Sequence, residues 1–189
     1  MIFIAVLAFA GLAMALATPA TSRSVAARRA DARGLLDGVL GPIFGDPDTD
    51  DYLLAHNKVR ILHEAPSLQW NTTLAEKAAG WANGCQVRHS DGTLLDGTPY
   101  GENLVAAAGN FPIADAISQF TSDTKDYDPA NPTLNHFTQV VWKATTQLGC
   151  SLAHCGGVFD PSLGQASYYV CLYYPPGNVI GQAAANVHV

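Results

Sequence analysis

The sequence predicts an α+β domain, because three stretches of helical periodicity fill its middle and three runs of β-branched and aromatic residues follow them. Strands gathered at the end of a chain pair most simply as an antiparallel sheet. Length agrees: 189 residues, less an N-terminal targeting segment, leaves about 140 to 170, enough for one domain with a substantial core.

The elements follow in order. MIFIAVLAFAGLAMALA is an apolar run closed by small residues, with Ala15 and Ala17 in the positions a signal peptidase reads. Residues 1–17 are expected to be a signal peptide, with cleavage after Ala17 or alternatively Ala20. Residues 18–49 form a pro-segment or flexible linker, in which Arg28 and Arg29 offer a dibasic processing site or belong to an uncleaved arm. The domain proper is expected over residues 50–189. Asp48, Thr49 and Asp50 supply N-cap oxygens, and Tyr52, Ala55, Val59 and Leu62 recur at helical spacing, which predicts a first helix from Asp50 to Glu64. Thr73 and Glu76 have the spacing of a capping box, so a second helix is predicted from Thr73 to about Gly84. Pro112 suits a first helical turn, and Ile113, Ala116, Ile117 and Phe120 form the apolar stripe of a third helix reaching about Asp126. Pro129 and Pro132 enforce a loop. Phe137 to Trp142, Leu148 to Leu152 and Tyr168 to Tyr174 then read as strands, the last stopped by Pro175, Pro176 and Gly177.

Charge excludes one class of partner. From Gly34 onward there are 6 Lys or Arg against 15 Asp or Glu, so the body carries a net charge of -9 and is repelled by phosphate backbones. No nucleic acid is expected. Cys85, Cys150, Cys155 and Cys171 in a chain with an export signal read as two disulfides, and the count alone allows three pairings. Asn71, Thr72 and Thr73 form an N-glycosylation sequon, whereas Pro132 blocks the one at Asn131. His56 is expected to pack or hydrogen-bond within the first helix, His63 and His154 to lie at the surface, and Trp70, Trp81 and Trp142 to anchor the core.

Two long motifs carry a resemblance. HFTQVVWKATTQLGC, from His136 to Cys150, and YVCLYYPPGN, from Tyr169 to Asn178, resemble the paired signatures of the CAP superfamily of cysteine-rich secretory, antigen 5 and pathogenesis-related class 1 proteins. His56, Asn57 and Arg60, then Leu68 to Trp70, Cys85 with His89 and Ser90, and Gly101 to Leu104 match in the same order. The resemblance spans roughly residues 50 to 182 and is closest to the fungal and plant pathogenesis-related branch. It implies an α-β-α sandwich, with a central antiparallel sheet between helical layers, and the disulfides Cys85 to Cys155 and Cys150 to Cys171.

The resemblance also implies a site. Two histidines and two acids meet in a central cleft of the family, sometimes around a divalent metal; the matching positions are His89, Glu102, Asp123 and His136. Asp123 stands where the family usually has Glu, one methylene shorter. Two imidazoles with two carboxylates suit zinc. Family members are implicated in binding sterols through the loop before the first signature and fatty acids between helices, which points to Tyr127, Leu134 and Phe137 as lipid contacts. The expectation is a secreted monomer that binds a sterol or fatty acid and needs no cofactor. The alternatives are a metal-dependent hydrolase built on the His and acid cluster, for which the sequence has no Gly-x-Ser-x-Gly or His-Glu-x-x-His motif, and a secreted effector acting on an extracellular protein partner.

Overall fold

The computed structural model describes residues 47–189; the expected signal peptide and most of the expected linker lie outside them. Helix α1 runs over Pro47–Leu62, with Asp48 and Asp50 in its first turn, where carboxylates complement the helix dipole. It therefore begins three residues before the expected start at Asp50. It ends where the amides of His63 and Ala65 both return to the Arg60 carbonyl and Glu64 takes a φ of 55°.

Strand β1 is only Gln69–Trp70. Helix α2 spans Thr72–Asn83, capped by Asn71, whose side chain accepts from the Leu74 amide. The cap thus lies two residues before Thr73, and the expected Thr73–Glu76 box is not what starts this helix. Strand β2, Gly101–Ala108, is an element the sequence did not predict. Its GENLVAAA sequence is poor in strand formers, and it is a strand because it pairs along its whole length with the last strand.

Helix α3, Ile113–Thr121, buries Ala116, Ile117 and Phe120 as its periodicity predicts. It passes into a 3-10 turn over Ser122–Asp126, so Asp123 sits in that tighter turn. The predicted strand from Phe137 to Trp142 is not formed. That segment is instead the short helix α4, His136–Val140, closed by a capping box in which Asn135 accepts from the Thr138 amide and Thr138 accepts from the Asn135 amide. Phe137, Thr138, Gln139 and Val140 are all buried, and residues chosen for burial on every side mimic a strand composition.

Strands β3, Gln147–Cys155, and β4, Ala166–Tyr174, extend the predicted ones at both ends or at their start, and helix α5, Ala183–Asn186, follows. The sheet order is β1-β3-β4-β2. Pairing is antiparallel for β2 with β4 and β3 with β4, and parallel for β1 with β3. Strands β1 and β2 lie between the first three helices, so the predicted order of helices first and strands last is corrected by them.

Alternation along the strands sends side chains to two cores. Leu148, Cys150, Tyr169, Cys171 and Tyr173 join Tyr52, Phe120, Phe137 and Trp142 under α1, α3 and α4. Val170, Leu172, Tyr168, Ala153 and Cys155 join Leu74, Ala78 and Ala82 of α2 on the other face. The sheet is thereby sandwiched between helical layers. Gly149 sets the second layer's closeness: a Cβ there would stand 2.2 Å from the Ala75 amide nitrogen.

Candidate functional site

The four residues singled out by the sequence form two pairs. His89 follows α2, and its Nδ1 donates to Glu102 Oε1 at 2.7 Å. The Ser90 amide donates to the same carboxylate at 3.0 Å. The Glu102 side chain is 7% exposed and that of His89 68%, so a nearly buried acid holds a surface imidazole. His136, the first residue of α4, donates from Nδ1 to Asp123 Oδ2 at 2.8 Å, and its backbone amide reaches the same oxygen at 3.3 Å. Phe120 stacks on the His136 ring with centroids 5.8 Å apart. The short Asp123 is the right length here because it serves an imidazole and a helix-start amide at once.

A carboxylate only accepts, so each Nδ1 carries the proton and each Nε2 keeps its lone pair when the ring is neutral. This is the arrangement in which a carboxylate orients an imidazole for an incoming ligand. Glu102 lies on the α2 face of β2 and the adjacent Asn103 on the other, where its Nδ2 donates to the His136 carbonyl at 3.0 Å. The pairs thus approach β2 from the two faces of the sheet. No hydrogen bond or ion pair among the described residues joins one pair to the other, and no three of the four offer ligand atoms all within 4.8 Å of one another.

Behind His136 lies a buried polar chain that sequence reasoning did not single out. His56 Nδ1 donates to the Tyr52 carbonyl at 2.8 Å, which fixes the tautomer and leaves Nε2 to accept from the Tyr173 hydroxyl at 2.9 Å. Asn103 Nδ2 donates to that hydroxyl oxygen at 3.3 Å. Burial pushes His56 down to about 4 and Tyr173 far above the ordinary tyrosine range, so both stay neutral. The bond of His56 within the first helix is as the sequence predicts, whereas the only signal for Asn103 and Tyr173 was membership of the matching motifs. Beside them Arg60 is fully buried, donating to the carbonyls of Pro66, Val140, Trp142 and Thr145 at 2.7–3.0 Å; burial lowers its pKa to about 10. This guanidinium clamps the segment that carries His136.

His56 also lies close to the sulfurs of Cys150 and Cys171. That trio does not suit a metal: the sulfurs are bonded to each other, which removes the thiolates, and both imidazole nitrogens are engaged. The second disulfide joins Cys85 and Cys155, so both expected pairings are present. Asn71 of the sequon is half-buried; it caps α2 and its Nδ2 donates to Gln147 Oε1.

The candidate lipid contacts are placed unequally. Phe137 is fully buried, Tyr127 is 9% exposed and packs edge-on against it, and Leu134 is half-buried against the same core. The exposed part of the loop, Asp128 to Thr133, has no large apolar side chain. A different surface is apolar: a groove of about 480 Å³ between α1 and α3, lined by Leu54, Ala55, Val59, Ile113, Ala114 and Ile117, with Lys58 and Asp51 at its rim.

Comparison with known proteins agrees with this architecture. The sequence pattern of the cysteine-rich secretory protein family, CAP, matches residues 53–173. A probable pathogenesis-related protein of Arthroderma benhamiae is 37% identical over 143 residues, covering 70% of this chain and 46% of its own length. Pathogenesis-related protein 1 of Arabidopsis thaliana is 30% identical over 156 residues, covering 78% of this chain and 89% of its own. The chain therefore spans less than half of the fungal relative. Among solved structures, Schistosoma mansoni venom allergen-like protein 4 superposes with a TM-score of 0.56 at 22% identity, over 71% of this chain and 91% of its own. NaASP2 with Zn2+ gives 0.55 at 20%, over 72% and 84%.

Proposed function

Because the chain belongs to the cysteine-rich secretory protein family, we propose that it is an extracellular lipid-binding domain that holds a long-chain fatty acid or a sterol in the groove between α1 and α3. The observation that carries this reading is the groove itself. Its volume lies within the roughly 300–1,000 Å³ of small-molecule sites, its walls are mainly hydrocarbon with Ser118 and Thr121 among them, and the exposed Lys58 ammonium has no ion-pair partner among the described residues. Burial of each methylene contributes about 0.8 kcal/mol, so a fatty acyl chain needs few polar contacts, and Lys58 is placed to meet its carboxylate. Leu54, 54% exposed, is a large apolar side chain in contact with water that such a ligand would cover.

Extracellular residence is supported by the N-terminal apolar run and by two disulfides, which persist in oxidising compartments. Among the described residues no helix is long and apolar enough to cross a membrane. The test is direct binding of labelled palmitate and cholesterol to the purified protein. Palmitate is expected to bind at micromolar concentration and to be lost in Ile117→Asp, with Tyr127→Ala as the contrast. Binding that survives Ile117→Asp and disappears in Tyr127→Ala would move the ligand to the loop.

The two carboxylate-backed imidazoles favour a second reading, a divalent cation taken up at His89 Nε2 or at His136 Nε2, with Glu102 and Asp123 orienting the respective rings. The donor set fits zinc, the metal present in the NaASP2 structure, and such an ion would supply Lewis acidity. We read the pairs as a binding site: among the described residues no hydroxyl or thiol is hydrogen-bonded to either imidazole, so no protein nucleophile is activated there. Zinc titration by calorimetry should show binding that His89→Ala with His136→Ala abolishes; unchanged affinity would place the metal elsewhere.

A further inference from the structure

The opposite edge of the sheet carries a second groove that neither reading uses. It has a volume of about 430 Å³ and lies along β3, between the start of α1 and the flank of α2. Its floor is a strand edge. The amides of Gln69 and Asn71 donate to the carbonyls of Thr146 and Leu148, so the even-numbered residues of β3 turn their backbone groups away from β4. The opposed Cys150 and Cys171, with Cα atoms 4.1 Å apart, fit the same alternation, since that short spacing marks a non-hydrogen-bonded pair. β1 stops at Trp70, where Asn71 turns the chain into α2. Beyond that point the outward N–H and C=O groups of Leu152 and His154 have no strand beside them among the described residues. Such an edge is a template for an added strand. Ala75 and Ala79 of α2 line the groove with small side chains, leaving room for a backbone to approach.

We propose that this edge docks an extended, basic segment of an extracellular protein partner by strand addition. Strand addition draws affinity from main-chain hydrogen bonds and specificity from the side chains beside the edge. Here the exposed Glu76 carboxylate stands on the α2 wall, no Lys or Arg among the described residues lines the groove, and the body around it is acidic, so positively charged side chains are selected. The Trp70 ring, half-buried and stacked on Tyr52 at 5.9 Å, forms an aromatic wall against which a lysine or arginine stem packs.

The experiment titrates the purified full chain, labelled for amide NMR, with a blocked peptide alternating valine and lysine, and with its counterpart alternating valine and glutamate. The lysine peptide is expected to shift and protect the Leu152 and His154 amides, and to bind at least about tenfold more tightly than the glutamate peptide. Glu76→Lys should weaken it by about tenfold. Methylating alternate peptide nitrogens removes the donors a strand needs and should abolish binding, as should His154→Pro, which deletes an edge donor without touching the β4 ladder. If His154→Pro fails to fold, the methylated peptide applies the same test to the unaltered protein. Equal binding of the two peptides, indifference to methylation, or shifts confined to the α1–α3 groove overturns the proposal. So does protection of the edge amides through self-association without peptide, which would make the occupant a second copy.

Discussion

The two faces of the sheet solve the same burial problem with different chemistry. On the α2 face the contact is dry and close, with Leu74, Ala78 and Ala82 against Val170, Leu172 and Ala153, and Gly149 admitting the helix backbone. On the α1 and α4 face, aromatic packing surrounds a fully satisfied polar network of His56, Arg60, Asn103 and Tyr173. The dry face sets how closely the layers approach. The polar face fixes a particular arrangement, because every buried donor has one acceptor it must meet. The histidine that depends on precise placement, His136, stands on the polar face.

The largest expected effect comes from breaking the polar face. Arg60→Met leaves the carbonyls of Pro66, Val140 and Thr145 without their donor, and about 4 kcal/mol of stability should be lost in urea unfolding, at about 1 kcal/mol for each carbonyl with lost packing added. A loss under about 1 kcal/mol would mean that water replaces the guanidinium and that the network organises little.

Acid sharpens the same contrast. His56 titrates near 4 in the folded state against an ordinary 6.5, so the unfolded chain takes up this proton first. The stability this residue contributes is complete above pH 6.5 and declines as the pH falls towards 4, by about 3 kcal/mol in total. Urea midpoints measured across that range should show the slope in the wild type and not in His56→Phe.

Gly149→Ala tests the dry face. The added methyl meets backbone, which cannot rotate away, and about 1–3 kcal/mol should be lost through displacement of α2. The His89–Glu102 pair should respond, since both groups lie on the α2 side, while amide shifts around His136 stay in place. Movement of both sites together would mean that the faces are not independent.

The smallest effect is expected for Tyr173→Phe, about 1 kcal/mol. Its signature is qualitative: without the hydroxyl that donates to neutral His56, the imidazole protonates more readily, and the acid slope becomes shallower. An unaltered slope would show that burial alone holds His56 neutral.

Several of these residues were visible from the sequence and several were not, for identifiable reasons. The stripes Tyr52, Ala55, Val59 and Ile113, Ala116, Ile117, Phe120 announced α1 and α3, because an amphipathic helix writes its buried face at a spacing of three and four. The segment from Phe137 to Val140 was misread as a strand, since a helix buried all round has no polar face to reveal its period. Strand β2 was missed because Ala106, Ala107 and Ala108 have little intrinsic strand preference, and only pairing with Ala166 to Tyr168 makes them one. The site residues His89, Glu102, Asp123 and His136 lie too far apart in the chain for spacing to join them; two long motifs made them legible.

What the sequence determined by itself is therefore local or compositional: the α+β class, the helical stripes, the acidic body and the four cysteines. Each follows from a residue's own chemistry or from neighbours within a turn or two. The tertiary structure decided the rest: the pairing of Glu102 with His89 and of Asp123 with His136, the buried chain from His56 to Asn103, the apolar groove and the open edge of β3. These depend on which strand lies beside which and on how the helices cover them. Such contacts join residues dozens of positions apart, and their energy exists only once the layers have closed.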